Sequence, residues 1–68
     1  MLNTIAIKRR MKEIGITQAE LAKEINVKTP TMNQKINNIR PLTLDEAEKM
    51  AKRLLINDSE FGAYFFAQ

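Results

Sequence analysis

Between Thr17 and Ile36 the chain reads TQAELAKEINVKTPTMNQKI, and the placement of its apolar residues leaves little freedom in how this stretch folds. Thr17 with Glu20 three residues later is the pattern of a capping box, in which each side chain satisfies the other's backbone N–H, so a helix begins at Gln18. Leu21, Ala22 and Ile25 then fall on one helical face. Val27 follows a tight turn, and Met32 and Ile36 form the next i, i+4 pair on a second short helix that opens near Thr29-Pro30. Neither helix can bury its apolar face alone, so the two share one small core. Ala22 sits where they come closest, and a methyl group is about the largest side chain that such a crossing admits.

The remaining residues extend this pattern into an all-α chain. Asn3 or Thr4 caps a first helix over 4–14, whose apolar positions Ile7, Met11 and Ile14 recur at i, i+4 and i+7, and Gly15 ends it. The second helix covers 18–25 and the third 29–37. Asn37, Asn38, Ile39, Arg40 and Pro41 read as a loop, with Ile39 expected to pin it to the core. Thr43 and Glu46 form a second capping box, and a helix over 44–55 carries a wide apolar face of Leu44, Ala47, Met50, Ala51, Leu54 and Leu55. Asn57 caps a fifth helix over 58–66, with Glu60 at its third position. All four aromatic residues, Phe61, Tyr64, Phe65 and Phe66, fall in the last eight positions. One domain over 1–68 is expected, since a chain of this length builds a single small core.

Composition removes whole classes of chemistry. The chain has no cysteine and no histidine, which excludes disulfides, thiolate nucleophiles, imidazole bases and Cys/His zinc sites. Its one serine is Ser59, and the cluster Asp45, Glu46 and Glu48 lies at a helix start, where capping and dipole effects account for it. No enzyme, metal or cofactor is expected. No apolar run approaches the ~20 residues of a membrane span, so a soluble cytoplasmic protein of a bacterial or phage-infected cell is expected. The net charge of +3 is unevenly distributed: residues 1–40 hold eight basic and three acidic side chains, a local +5, and residues 41–68 hold three basic and five acidic ones, a local −2. Single charges usually only solvate helix faces, but this asymmetry favours a polyanion as the partner of the first half.

Gln18, Ala19, Glu20, Leu21, Ala22, Ile25, Val27 and Met32 together resemble the helix-turn-helix of the phage repressor and Cro family, and the likeness covers the whole chain. It implies a compact five-helix bundle of the phage repressor DNA-binding domain type, and a sequence-specific regulator of transcription that binds double-stranded DNA. The short chain resembles a Cro-type repressor, which acts by occupying an operator and is governed by its own concentration. Three residues depart from the family pattern. Asn26 replaces the usual glycine at the left-handed turn, where asparagine is the best substitute. Lys28 stands where Ser or Thr often caps the reading helix, so the cap is expected to move to Thr29 with Pro30 as first helical residue, leaving the start open by one position. Lys35 occupies an aliphatic position, with its stem expected along the edge of the core.

With Met32 and Ile36 inward and ~100° per residue, Pro30, Gln34 and Asn37 point outward, flanked by Thr31 and Asn33. Glutamine and asparagine can pair with adenine, and proline or threonine methyls can meet a thymine methyl. The candidate base contacts are therefore Thr29, Pro30, Thr31, Asn33 and Gln34. The resemblance implies a phosphate contact for Gln18, and Lys28, Asn37, Asn38 and Arg40 flank the reading helix as further phosphate contacts. Phe61 and Phe65 share a face that can close the core, which leaves Tyr64 and Phe66 as the expected interface of a homodimer on a palindromic operator. The alternative function is a helical protein-interaction module, an antirepressor or antitoxin-like partner, for which an acidic third helix would have spoken.

Overall fold

The structure, a computed structural model, describes residues 1–67. It contains α1 (Thr4–Ile14), α2 (Gln18–Glu24), α3 (Thr29–Ile36), α4 (Leu44–Arg53) and α5 (Asp58–Phe65), with no strand among the described residues. α2 packs on both α3 and α4, and α1 lies against α5. Ile7, Leu21, Met32, Ile36, Met50 and Leu54 are fully buried, so α1 to α4 and the turn after α4 all reach the same centre. Phe65 closes it from α5. Ala22 is almost completely buried where α2 meets its neighbours, as its small side chain requires.

Each helix begins where its sequence can satisfy free N–H groups, with one exception. Asn3, Thr17, Thr43 and Asn57 accept hydrogen bonds from the backbone N–H three residues on, at 3.1 Å in every case. At Thr17 and Thr43 the box is closed, because Glu20 and Glu46 accept in return from the cap's own N–H at 3.0 Å. A cap of this kind stabilises by about 1 kcal/mol. The exception is α3. Its first helical hydrogen bond runs from the Met32 N–H to the Lys28 carbonyl, which makes Lys28 the cap residue and Thr29 already helical. Thr29 therefore cannot serve as the cap, contrary to expectation, and Pro30 is the second helical residue.

The helix ends share one device. Gly15, Asn26, Asn38 and Leu55 have positive φ, of 81°, 61°, 61° and 56°. After α2, α3 and α4 the next residue but one returns a hydrogen bond into the last turn, Val27 to the Ala22 carbonyl, Ile39 to Gln34 and Ile56 to Ala51, at 2.8 to 2.9 Å. This is the Schellman arrangement, which stops a helix at a fixed residue and turns the chain sharply. Glycine and asparagine adopt it at little cost, whereas leucine does so against steric resistance of about 1 kcal/mol.

Several expectations about apolar residues are corrected by these turns. α4 ends at Arg53, so Leu55 is not on its apolar face; it stands in the left-handed turn and is 70% exposed, while Ile56 beyond it returns to the core. Ile39 does not pin its loop, because the turn at Asn38 directs it outward, 69% exposed. Leu44, first residue of α4, is 57% exposed at the helix mouth. Tyr64 does find an inward place, half-buried against the core.

Two polar anchors join distant parts of the chain. The Lys35 ammonium reaches the Glu46 carboxylate at 2.9 Å and the Pro41 carbonyl at 3.0 Å, fastening α3 to the loop and to the start of α4. Both side chains are largely covered, at 11% and 17% exposed. Arg10 of α1 donates from Nε to the Leu54 carbonyl at 2.9 Å and from Nη2 to the Leu55 carbonyl at 3.1 Å, satisfying acceptors left free at the end of α4. Burial works against the charge on Glu46 but is outweighed by the Thr43 N–H and Lys35, which hold the carboxyl below its ordinary range.

Glu46→Gln takes the charge out of the bond to Lys35 while keeping an acceptor for the Thr43 N–H, and should lower unfolding free energy by about 1 to 2 kcal/mol in chemical denaturation near neutral pH. Because the folded state depresses this carboxyl, its contribution is complete above the ordinary glutamate pKa and disappears as pH falls through the lowered value. The gap between wild type and variant should therefore narrow on acidification; a constant gap would mean that Glu46 does not act through its charge. Leu55→Gly should relieve the left-handed strain at little loss of packing, and raise the thermal midpoint by a few degrees, equivalent to about 0.5 to 1 kcal/mol. A lower midpoint by calorimetry would show that the Leu55 side chain contributes more to the monomer than its exposure indicates.

Candidate nucleic-acid interface

With Met32 and Ile36 fully buried, the opposite side of α3 is a polar surface. Thr29, Pro30 and Asn33 are exposed, and Thr31, Gln34 and Asn37 are half-exposed beside them. Lys28 stands exposed at the start of the helix and Arg40 at its end, so the surface carries a positive charge at both limits. Lys8, Arg9, Lys12 and Lys23 are exposed on α1 and α2.

The amides on this surface are ordered in one direction. Asn37 Nδ2 donates to the Asn33 carbonyl at 2.9 Å and approaches Asn33 Oδ1 at 3.4 Å. Asn33 Nδ2 in turn donates to Gln18 Oε1 at 3.4 Å, across from α3 to the first residue of α2. The relay ends with the Gln18 amide N–H groups, which have no protein acceptor among the described residues and sit beside the N-terminus of α2, where the helix dipole favours an anion. Three of the expected contacts, Gln18, Asn33 and Asn37, are thereby brought together. Asn33 is a link in this chain as well as an exposed side chain.

Gln34 and Arg40 form a second unit. The backbone turn after α3 brings both the Ile39 and Arg40 N–H groups to the Gln34 carbonyl, at 2.8 and 3.3 Å. The Arg40 side chain lies back along the same residue, and its Nε donates to Gln34 Oε1.

Asn38, expected as a phosphate contact, uses its amide elsewhere. Its Oδ1 accepts from the Leu2 N–H at 3.0 Å, and its Nδ2 donates to the Leu2 carbonyl at 2.9 Å and to Thr4 Oγ1 at 3.3 Å. The Thr4 hydroxyl continues to the Ile36 carbonyl at 2.6 Å, and the Asn3 N–H to the Tyr64 carbonyl at 2.8 Å. Residues 2 to 4 thus bind the end of α3 to the end of α5. The anchors Lys35-Glu46 and Arg10 were not read from the sequence either. Lysine at an aliphatic position was the available signal for the first; the partners of Arg10 lie 44 and 45 residues away and left none.

Away from this polar surface, Met1, Ile39, Leu44 and Phe66 are exposed apolar residues that line one groove of about 480 Å³ between the loop after α3 and the C-terminal residues. Phe66 packs against Phe61 with the rings tilted by 49° and centroids 5.8 Å apart, yet remains 57% exposed. Among the described residues no helix is long and apolar enough to cross a membrane.

Comparison with known proteins agrees with this geometry. A search among curated proteins finds no match to the chain. A helix-turn-helix family model matches residues 7–61, a span that takes in most of α1, all of α2 to α4 and the first turn of α5, with the whole polar surface described above. The chain therefore belongs to the helix-turn-helix family of the Cro and repressor type, whose members are all-α DNA-binding regulators of transcription.

Proposed function

We propose that the protein is a Cro-like repressor that binds a palindromic operator as a homodimer and blocks a promoter by occupying it, in the cytoplasm of a bacterial or phage-infected cell. The observation that carries this reading is the outer side of α3: a surface of hydroxyl, amide and methyl groups about the size of a few base-pair edges, with Lys28 and Arg40 at its limits and its orientation set from behind by Met32, Ile36 and Lys35. Such groups can read bases in the major groove, where each base pair presents its own order of donors and acceptors. Thr29, Pro30, Thr31, Asn33 and Gln34 supply the base contacts. Gln18, Lys28, Asn37 and Arg40 supply contacts to phosphates, which position the helix without carrying sequence information.

The size of the domain supports dimerisation. The domain extends 28 Å along its longest axis, while half-sites on one face of a duplex repeat about every 34 Å, so one copy cannot span two of them. The groove lined by Met1, Ile39, Leu44 and Phe66 adjoins the loop that leaves α3, and its exposed apolar residues make it the surface for a two-fold contact. Phe66 is the centre of this contact, while Tyr64, half-buried, supports it from below.

If a dimer neutralises about 6 to 8 phosphates, log affinity should fall with log salt at a slope of roughly −5 to −7 in an anisotropy titration. Gln18→Ala should weaken operator and random duplex by a similar factor. A flat salt response would point to a protein partner in place of DNA. Phe66→Ala should weaken dimerisation by about ten-fold or more by sedimentation, with a matching loss on a palindromic site. A wild-type protein that fills two half-sites independently as a monomer would remove the dimer from this reading.

A further inference from the structure

The pairing of Arg40 with Gln34 has a consequence for which base the reading helix selects, provided that the DNA-binding reading above holds. A free glutamine amide matches adenine because it offers one acceptor and one donor to N6–H and N7. In this structure one of the two lone pairs of that acceptor is already engaged by Arg40. Arginine carries donors only, so the Gln34 atom facing Arg40 Nε must be the carbonyl oxygen, and the amide orientation is thereby determined. The Gln34 NH2 then points away from the guanidinium.

Arg40 is held in this place by more than its side chain. Asn38 takes the left-handed conformation that folds the loop back, its amide is tied to Leu2 and Thr4, and the Ile39 and Arg40 N–H groups both close on the Gln34 carbonyl. The Arg40 Nη groups have no protein acceptor among the described residues, and neither does the Gln34 NH2. What the pair offers to solvent is thus a row of N–H donors backed by a positive charge. An adenine N6–H brought to Gln34 Oε1 would have to share that oxygen with Arg40 Nε–H, beside the positive charge of the guanidinium. Guanine presents two acceptors, O6 and N7, in the major groove.

We infer that Gln34 and Arg40 act as one donor-only unit that selects guanine, with the Gln34 amide N–H on one acceptor and an Arg40 Nη–H on the other. Arg40 is then a specificity-determining residue and not solely a phosphate contact. Remove its guanidinium and Gln34 regains a free carbonyl, so the preference at that base pair should change from guanine to adenine.

The test is selection from a random duplex pool by wild type, Gln34→Ala, Arg40→Ala and Arg40→Met, the last keeping the apolar stem, followed by titration of duplexes that differ only at the base pair that loses definition in Gln34→Ala. Wild type should favour guanine there by roughly ten-fold over adenine, and 7-deazaguanine, which lacks the N7 acceptor, should forfeit much of that preference. Both Arg40 variants should favour adenine at the same position and keep the choice elsewhere, with helix content and melting unchanged. Adenine preference in wild type would overturn the inference, as would Arg40 variants that weaken every duplex by one common factor. Those two outcomes leave DNA binding intact, whereas a wild-type protein that enriches no sequence at all would overturn the DNA-binding reading itself.

Discussion

The left-handed residue at the end of each of the first four helices is the constraint on which the rest of this structure depends. A small core centred on six large, fully buried side chains has few alternatives for each element, and a helix that ran one residue too far would rotate the next by a large part of a turn. Gly15, Asn26, Asn38 and Leu55 prevent this by ending α1 to α4 at defined positions. The turn at Asn26 matters most, because α3 starts three residues later and its outward face is set by where α2 stops. With Val27 bonded to the Ala22 carbonyl and Ala22 itself the point of close approach, one short segment sets both the distance and the angle between the two helices.

Around this frame the polar interactions are few and specialised. Among the described residues no polar side chain is fully buried, and no buried side-chain nitrogen or oxygen lacks a partner. The partly covered ones each join segments that the core does not: Lys35 ties α3 to the head of α4, Arg10 closes the tail of α4, and Asn38 holds residues 2 to 4 against the end of α3. All three act at helix ends, where free N–H or carbonyl groups need partners. The reading helix is thereby fastened at its C-terminal half, while its N-terminus has no side-chain cap and only the Lys28 carbonyl to begin it.

The sequence made the fold legible wherever the signal was local. The capping boxes at Thr17 and Thr43 and the cap at Asn57 depend on residues three apart, and α2, α4 and α5 begin at the residues after them. The inward faces followed from Met32, Ile36 and Met50 at helical spacing. The ends of the helices were harder. Leu55 reads as one more apolar position of α4, since leucine is a poor choice for positive φ and nothing nearby marks the stop. Ile39 and Leu44 misled in the same way, because an apolar residue signals burial only if the backbone turns it inward. At the candidate site, periodicity identified the outward residues of α3 but not their partners. The Gln34-Arg40 pair depends on a chain reversal, and the amide relay through Asn33 on contact between two helices. Asn38 looked like a surface amide until the position of Leu2 was known.

The division of labour within α3 also bears on how such a protein can change over time. Its inward residues and Lys35 serve the core and the anchors, and Asn33 links α3 to Gln18, while Thr29, Pro30 and Thr31 touch little that holds the domain together. Substitutions at these three positions would therefore leave stability nearly untouched and, on the proposed reading, alter what is recognised. The two properties can drift separately, and one scaffold can give rise to a lineage of regulators with different targets. Gln34 is the exception, being coupled through Arg40 and the turn at Asn38 to the first residues of the chain. Divergence at that position would require a compensating change in the loop, so the early part of the reading helix is the freer ground for new specificities.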